Sequence, residues 1–243
     1  MQKAQKNWYS DWFNTKFYHI LYQDRDHKEA QLFMDNLTYY LNLPEGASIL
    51  DLACGKGRHA IYLNSLGYDV TGTDISENSI TYAKQFENEQ LHFEVHDMSK
   101  AYHKKFDAVF NLFTSFGYFE DENDNLNTLK AIKSNLNETG FAVIDFMNTS
   151  YILDNLVPEE IKKIKGIDFH IKRYADATHI FKEIHFKFES KDYHYTECVR
   201  ALKLEDFESY FEIANIDLLD IFGDYKLQRF DLKNSERLIM IFK

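Results

Sequence analysis

Hydrophobic and polar positions follow three different periods along this chain. Between residues 48 and 147, short apolar runs alternate with amphipathic stretches. Strands are expected at 48–52, 69–73, 91–95, 106–112 and 140–146, and helices at about 57–66, 77–87 and 123–136. Gly67 closes the first of these helices and Ser76 caps the second. The strands are apolar on both faces, as in Val109-Phe110 and Ala142-Val143-Ile144, which suits a parallel α/β sheet with right-handed crossovers. Ahead of this region, Phe13, Phe17, Ile20 and Leu21, then Leu32, Phe33, Leu37, Tyr40 and Leu41, recur at helical spacing until Pro44-Glu45-Gly46. After it the period drops to two. Stretches 170–174, 178–188 and 193–201 read as antiparallel strands with one wet face, for example Ile180, Lys182, Ile184, Phe186 and Phe188 against Phe181, Glu183, His185 and Lys187. A helix at 204–214 and strands at 216–222 and 236–242 return to the α/β pattern. The expected division is a helical arm (1–43), a cofactor-binding core (44–148), a β insertion (149–200) and a return to the core sheet (201–243).

Composition narrows the class. With 243 residues, 44% hydrophobic and 28% charged, the chain can bury a sizeable core. Its 21 Phe and 16 Tyr make that core aromatic. A net charge of −11 repels phosphate backbones and argues against a nucleic-acid partner. No apolar run approaches the roughly 20 residues of a membrane helix, and the first residues lack a signal-peptide core. Two cysteines, Cys54 and Cys198, form no metal or disulfide framework. A soluble cytoplasmic protein is expected, with a homodimer contact through the β insertion as one option.

The chemistry concentrates at the expected strand ends. Residues 49–60 run from an apolar strand through Asp51, Ala53 and Cys54 into a turn containing Gly55 and Gly57, where bare backbone can approach a ligand at a helix N-terminus. Asp51 is unfavourable beside a diphosphate and suited to an ammonium group. Asp74 follows the second strand, about one βαβ unit later, where a carboxylate accepts hydrogen bonds from a ribose diol. Asp97 ends the third strand and could accept from an adenine amino group, with Ile75 and Met98 sandwiching the ring. Asn111 and Leu112 end the fourth strand beside this crevice, and Phe113, Phe116 and Tyr118 could wall a reacting centre around a sulfonium cation. A ligand with ribose and positive charge points to S-adenosylmethionine and methyl transfer.

These motifs resemble the class I S-adenosylmethionine-dependent methyltransferases, over residues 45–147 and the last forty or so. Residues 51–58 look like that family's first motif, Gly72-Thr-Asp74-Ile-Ser its acidic loop, and Asp97-Met98 its adenine edge. The resemblance implies a Rossmann-like, doubly wound seven-stranded sheet of order 3-2-1-4-5-7-6 with strand seven antiparallel. It further implies that the glycine turn and Asp51 hold the methionine portion, Asp74 the ribose and Asp97 the adenine. The opening arm is similar to the lid of small-molecule members, with Tyr18, Tyr22 and Arg25 as candidates near the cofactor carboxylate. The chain lacks the Asn/Asp-Pro-Pro-Tyr/Phe of adenine and glutamine amino-methyltransferases and the Pro-Cys of cytosine-C5 enzymes. A small-molecule acceptor with an N or O nucleophile is therefore expected. His19 and Arg200 are candidate substrate contacts, His170, His185 and His194 are weaker candidates, and no catalytic base is assigned. A nicotinamide-dependent oxidoreductase and a non-catalytic cofactor-binding or dimerisation module are the alternatives.

Overall fold

The computed structural model describes residues 8–22, 27–119 and 121–243. Three short helices open the described chain: α1 (Trp8–Phe13), α2 (Lys16–Leu21) and α3 (His27–Tyr40). Strands β1 (Ser48–Leu52), β2 (Asp69–Asp74), β3 (Leu91–Val95), β4 (Phe106–Asn111) and β5 (Leu136–Met147) then alternate with helices α4 (Arg58–Ser65), α5 (Glu77–Ala83) and α6 (Glu122–Ser134). After α7 (Thr149–Asp154) come β6 (Glu159–Ile164), β7 (Ile167–Ala175), β8 (His179–Phe188) and β9 (Lys191–Arg200). Helix α8 (Leu204–Ala214), β10 (Leu218–Phe222) and β11 (Arg237–Phe242) close the chain.

The first five strands pair in parallel, and β11 lies antiparallel between β5 and β10, giving the order β10-β11-β5-β4-β1-β2-β3. Counting only strands of this sheet, that is the 3-2-1-4-5-7-6 order expected. One face packs on α3, α4 and α5 through Phe33, Leu37, Leu63, Ile80 and Phe93; the other packs on α6 and α8 through Leu129, Ile132, Phe207 and Phe211. Strands β6 to β9 form a second, antiparallel sheet. Its inner face closes a third aromatic cluster with α1 and α2, in which Trp8, Trp12 and Phe17 meet Phe169, Ile184 and Phe186. The opening arm is thus divided: α1 and α2 belong to the second sheet, α3 to the first.

Several elements depart from the sequence pattern. Thr15, whose hydroxyl accepts from the Tyr18 amide at 3.1 Å, breaks the arm into α1 and α2. Strand β6 was not anticipated because, as an edge strand with no fully buried residue, it carries no period-two signal. Helix α7 was also missed. Ser76 does cap α5, its hydroxyl accepting from the Ser79 amide at 3.2 Å, but the helix ends at Ala83 in a 3₁₀ turn. No helix of the described residues is long and apolar enough to cross a membrane.

Two packing details fix the turn after β1. Gly57 has φ +80° and Gly72 lies opposite it; a Cβ on either would come within 2.6 Å of the Phe93 ring. Asp51 is 1% exposed, and its Oδ2 accepts from the Ala60 amide at 3.1 Å, satisfying one of the orphan donors of α4. Burial pushes this carboxyl up to about 7, Asp74's charge adding to the effect and the Ala60 amide and Arg58 opposing it.

Gly72→Ala is expected to lower unfolding free energy by about 1–3 kcal/mol; in urea titrations the loss shrinks when Phe93→Leu is combined with it, because the two positions share one contact. Asp51 also predicts a pH dependence. Between its unfolded value, near 3.8, and about 7, the native state keeps a proton that the unfolded chain has released, so Asp51 makes the protein less stable as pH rises. Asp51→Asn removes that term: relative to the native chain it should gain stability between pH 4 and 7, by up to about 4 kcal/mol, as read from urea unfolding at pH 5 and pH 8.

Candidate active site

The carboxyl ends of β1, β2 and β4 open onto a cavity of about 730 Å³ covered by α1 and α2. The floor is the turn after β1, in which Ala53, Gly55 and Gly57 all take positive φ (63°, 57° and 80°). The turn is pinned by the Cys54 amide to Thr73 O (2.8 Å) and the Gly57 amide to Cys54 O (3.0 Å). A Cβ built on Gly55 would meet nothing within 4 Å, so this stretch of backbone is open to a ligand.

Asp74, at the tip of β2, bridges two loops. Its Oδ2 accepts from the Gly55 amide and its Oδ1 from the Ser76 amide, each at 2.8 Å. Burial raises its pKa, and the two amides oppose the rise. Each oxygen keeps a lone pair for a further donor, as a vicinal diol requires. Asp97, in the turn after β3, accepts from the amide and hydroxyl of Ser99 at 3.0 and 2.7 Å. Burial pulls its pKa upward, but Ser99 and Lys100 outweigh it and hold the group below the ordinary carboxylate value. Ile75 and Met98 line the cavity alongside these two acids.

Lys56 and Arg58, which flank Gly57 and which the sequence expectations do not include, also line the cavity. The Arg58 guanidinium sits 4.5 Å over the Phe113 ring and the Lys56 ammonium 4.8 Å over Tyr82. Burial lowers the pKa of Lys56. The roof is aromatic. Tyr118, from the loop after β4, packs edge-on against Trp8 (5.3 Å) and Phe13 (5.5 Å), and Tyr18 packs against Tyr22 (4.9 Å).

Of the residues singled out in the sequence, Ala53, Cys54, Gly55, Asp74, Ile75, Asp97, Met98, Leu112, Phe113, Tyr118, Tyr18, His19 and Tyr22 come together around the cavity. Asp51 and Gly57 do not reach the cavity surface. Asn111 is buried, its Nδ2 donating to Leu52 O at 3.0 Å. Phe116 is not a cavity wall: the left-handed pair Phe113-Thr114 redirects the chain and sends its ring against Phe207, 5.4 Å away. Arg200 does not line the cavity; it pairs with Glu122 at 3.8 Å. The Tyr22 ring lines the cavity, but its hydroxyl donates to Glu197 at 2.6 Å and accepts from Lys182, so it is turned away from any cofactor carboxylate. Trp12 Nε1 donates to the same Glu197 oxygen at 2.8 Å. His170, His185 and His194 stand in one cross-strand row on the exposed face of the second sheet. Arg25 lies outside the described residues. His59 and His96, unremarked in the sequence, also line the cavity.

The site therefore offers a half-buried carboxylate with lone pairs to spare, an open stretch of backbone and two cations, beneath an aromatic ceiling. Comparison with known proteins agrees with that chemistry. The chain is 33% identical over 122 residues to YqeM of Bacillus subtilis, a provisionally named methyltransferase, an alignment covering 49% of each chain. It is 30% identical over 159 residues to a glycine/sarcosine N-methyltransferase of Aphanothece halophytica, covering 61% of this chain and 57% of that one. The chain thus spans about half the length of these curated relatives. Among solved structures, an S-adenosylmethionine-dependent methyltransferase from Clostridium acetobutylicum superposes with a TM-score of 0.78 at 23% identity, over 93% of this chain and 94% of the other, a likeness of fold. The family model for the methyltransferase domain matches residues 43–197, most of the main sheet and nearly all of the second, and the chain belongs to that family.

Proposed function

We propose that this chain transfers a methyl group from S-adenosylmethionine to the nitrogen or oxygen of a small molecule. The observation that carries this reading is Asp74: a half-buried carboxylate with spare lone pairs, held at a strand tip against the open backbone of Gly55. In this reading Asp74 accepts from the ribose hydroxyls, Ile75 and Met98 flank the adenine and Asp97 faces its amino edge. Arg58 and Lys56 take the carboxylate-binding role that the resemblance gave to Tyr18, Tyr22 and Arg25. When bound, the cofactor supplies an already activated methyl group on a sulfonium. The protein's task is then alignment and exclusion of water, which in well-oriented systems lowers a barrier by about 7–11 kcal/mol. Tyr18, Tyr118 and Phe113 suit that task, since aromatic faces attract a cation and keep the site dry.

A small amine is the acceptor that best fits the glycine/sarcosine relative, whose own name describes N-methylation. α1, α2 and the second sheet act as a roof over the acceptor. The charged outer face of that sheet, with Lys172, Lys187 and the histidine row, supports a roof over a subunit contact. The two cysteines form no disulfide, which supports a reducing, cytoplasmic setting. Family membership stands against the oxidoreductase alternative.

S-adenosylhomocysteine at a hundredfold excess over Kd should stabilise the protein by about 2.7 kcal/mol, visible as a rise in Tm, whereas NAD should leave Tm unchanged. Asp74→Ala should abolish the shift and Arg58→Met should weaken binding by about tenfold. A shift with NAD alone, or none with either compound, would overturn the reading. Methyl transfer from labelled cofactor to glycine, sarcosine and a panel of small amines and alcohols tests the acceptor class.

A further inference from the structure

Phe113 and Thr114, one residue past the end of β4, hold φ values of 64° and 59°. Two consecutive non-glycine residues in this left-handed region need an external restraint, since the Cβ of an L-residue crowds its own carbonyl there. The restraint is Asp145 on β5, which is fully buried. Its Oδ2 accepts from the Phe113 amide at 3.0 Å, and its backbone carbonyl accepts from the Thr114 amide at 3.2 Å. Arg237, on β11, orients that carboxylate. Ile239 is the direct cross-strand partner of Asp145, so Arg237 is its diagonal neighbour on the same face. Arg237 Nε donates to Asp145 Oδ1 at 2.7 Å, and Nη2 reaches on to the Thr114 hydroxyl at 3.0 Å. Tyr225 donates a third hydrogen bond to the carboxylate at 3.2 Å and stacks on the Phe113 ring, 6.1 Å between centroids with planes 20° apart.

The consequence falls on the cavity. The outer face of the Phe113 ring is the platform beneath Arg58. We propose that Asp145 and Arg237 are positioning residues for the cofactor site: by holding Phe113-Thr114 left-handed they place the Phe113 ring under Arg58 and aim that cation at the ligand's anionic end. Neither lines the cavity, so they act through Phe113. The inference rests on the cofactor reading above for its ligand, but the backbone restraint can be tested without it.

The test compares native protein with Arg237→Met, Arg237→Lys and the double variant Arg237→Met/Thr114→Gly. Two readouts are used: titration with S-adenosylhomocysteine, and amide hydrogen exchange at Phe113 and Thr114. Arg237→Met should weaken binding by about tenfold and speed exchange at those two amides while leaving β1 and β4 protected. Arg237→Lys, which keeps the charge but loses the planar fork, should fall between. Adding Thr114→Gly should restore most of the affinity, because glycine takes positive φ without steric cost; a merely structural role for the pair would give no such rescue. If Arg237→Met does not fold, Tyr225→Phe, which removes one hydrogen bond to Asp145, should give the same pattern in smaller measure. Native affinity with unchanged exchange in a folded Arg237 variant, or a double variant no better than the single, would overturn the proposal. If the native protein binds no S-adenosylhomocysteine, the cofactor reading fails, and exchange at Phe113 and Thr114 alone decides whether the pair holds the turn.

Discussion

A carboxylate with two amides in its grip, Asp74, governs how the rest of the ligand face is built. It ties the turn after β1 to the start of α5, so the two loops cannot separate without leaving a half-buried carboxylate and two N–H groups unpaired. The close packing beneath it depends on the same contact. Gly57 and Gly72 press against Phe93 because the turn is pulled down onto β2, and there is no room for a Cβ at either place. The proposed ribose contact uses the lone pairs this clamp leaves over. In that proposal, structural and ligand-binding roles share one side chain.

The second sheet is joined to this face by a different kind of contact. Its inner surface is aromatic, and α1 and α2 lie across it with Trp12 and Tyr22 sharing one acceptor, Glu197, while Lys182 approaches both Tyr22 and Glu197. A charged pair this shielded adds little net stability, since each ion loses solvation, but it penalises any arrangement that separates the partners. That fixes the angle at which the roof's tyrosines look down into the cavity.

Much of the fold was legible because its signal is local. Continuous apolar runs such as Ala142-Val143-Ile144 mark a strand buried on both faces, and Gly55, Asp74 and Asp97 follow from strand ends. What escaped the sequence depends on long-range packing. Strand β6 buries none of its residues, so alternation left no trace. Phe116 looked like a cavity wall because Phe113 and Thr114 carry no glycine to announce the left-handed turn that redirects it. Arg200 found Glu122, a partner on α6 that spacing alone could not suggest. Arg58 and Lys56 were in plain view inside the glycine turn; only the depth of the cavity showed that they face it.

The antiparallel placement of β11 between β5 and β10 has a temporal side. A ribosome adding about 5–20 residues per second delivers Asp145 on the order of 5–20 seconds before Arg237. In that interval the carboxylate has no guanidinium beside it, and β5 is an open edge. The wall under Arg58 is therefore assembled late, after the nascent chain has presented every other part of the crevice. Any ligand that relies on that wall must then wait for β11.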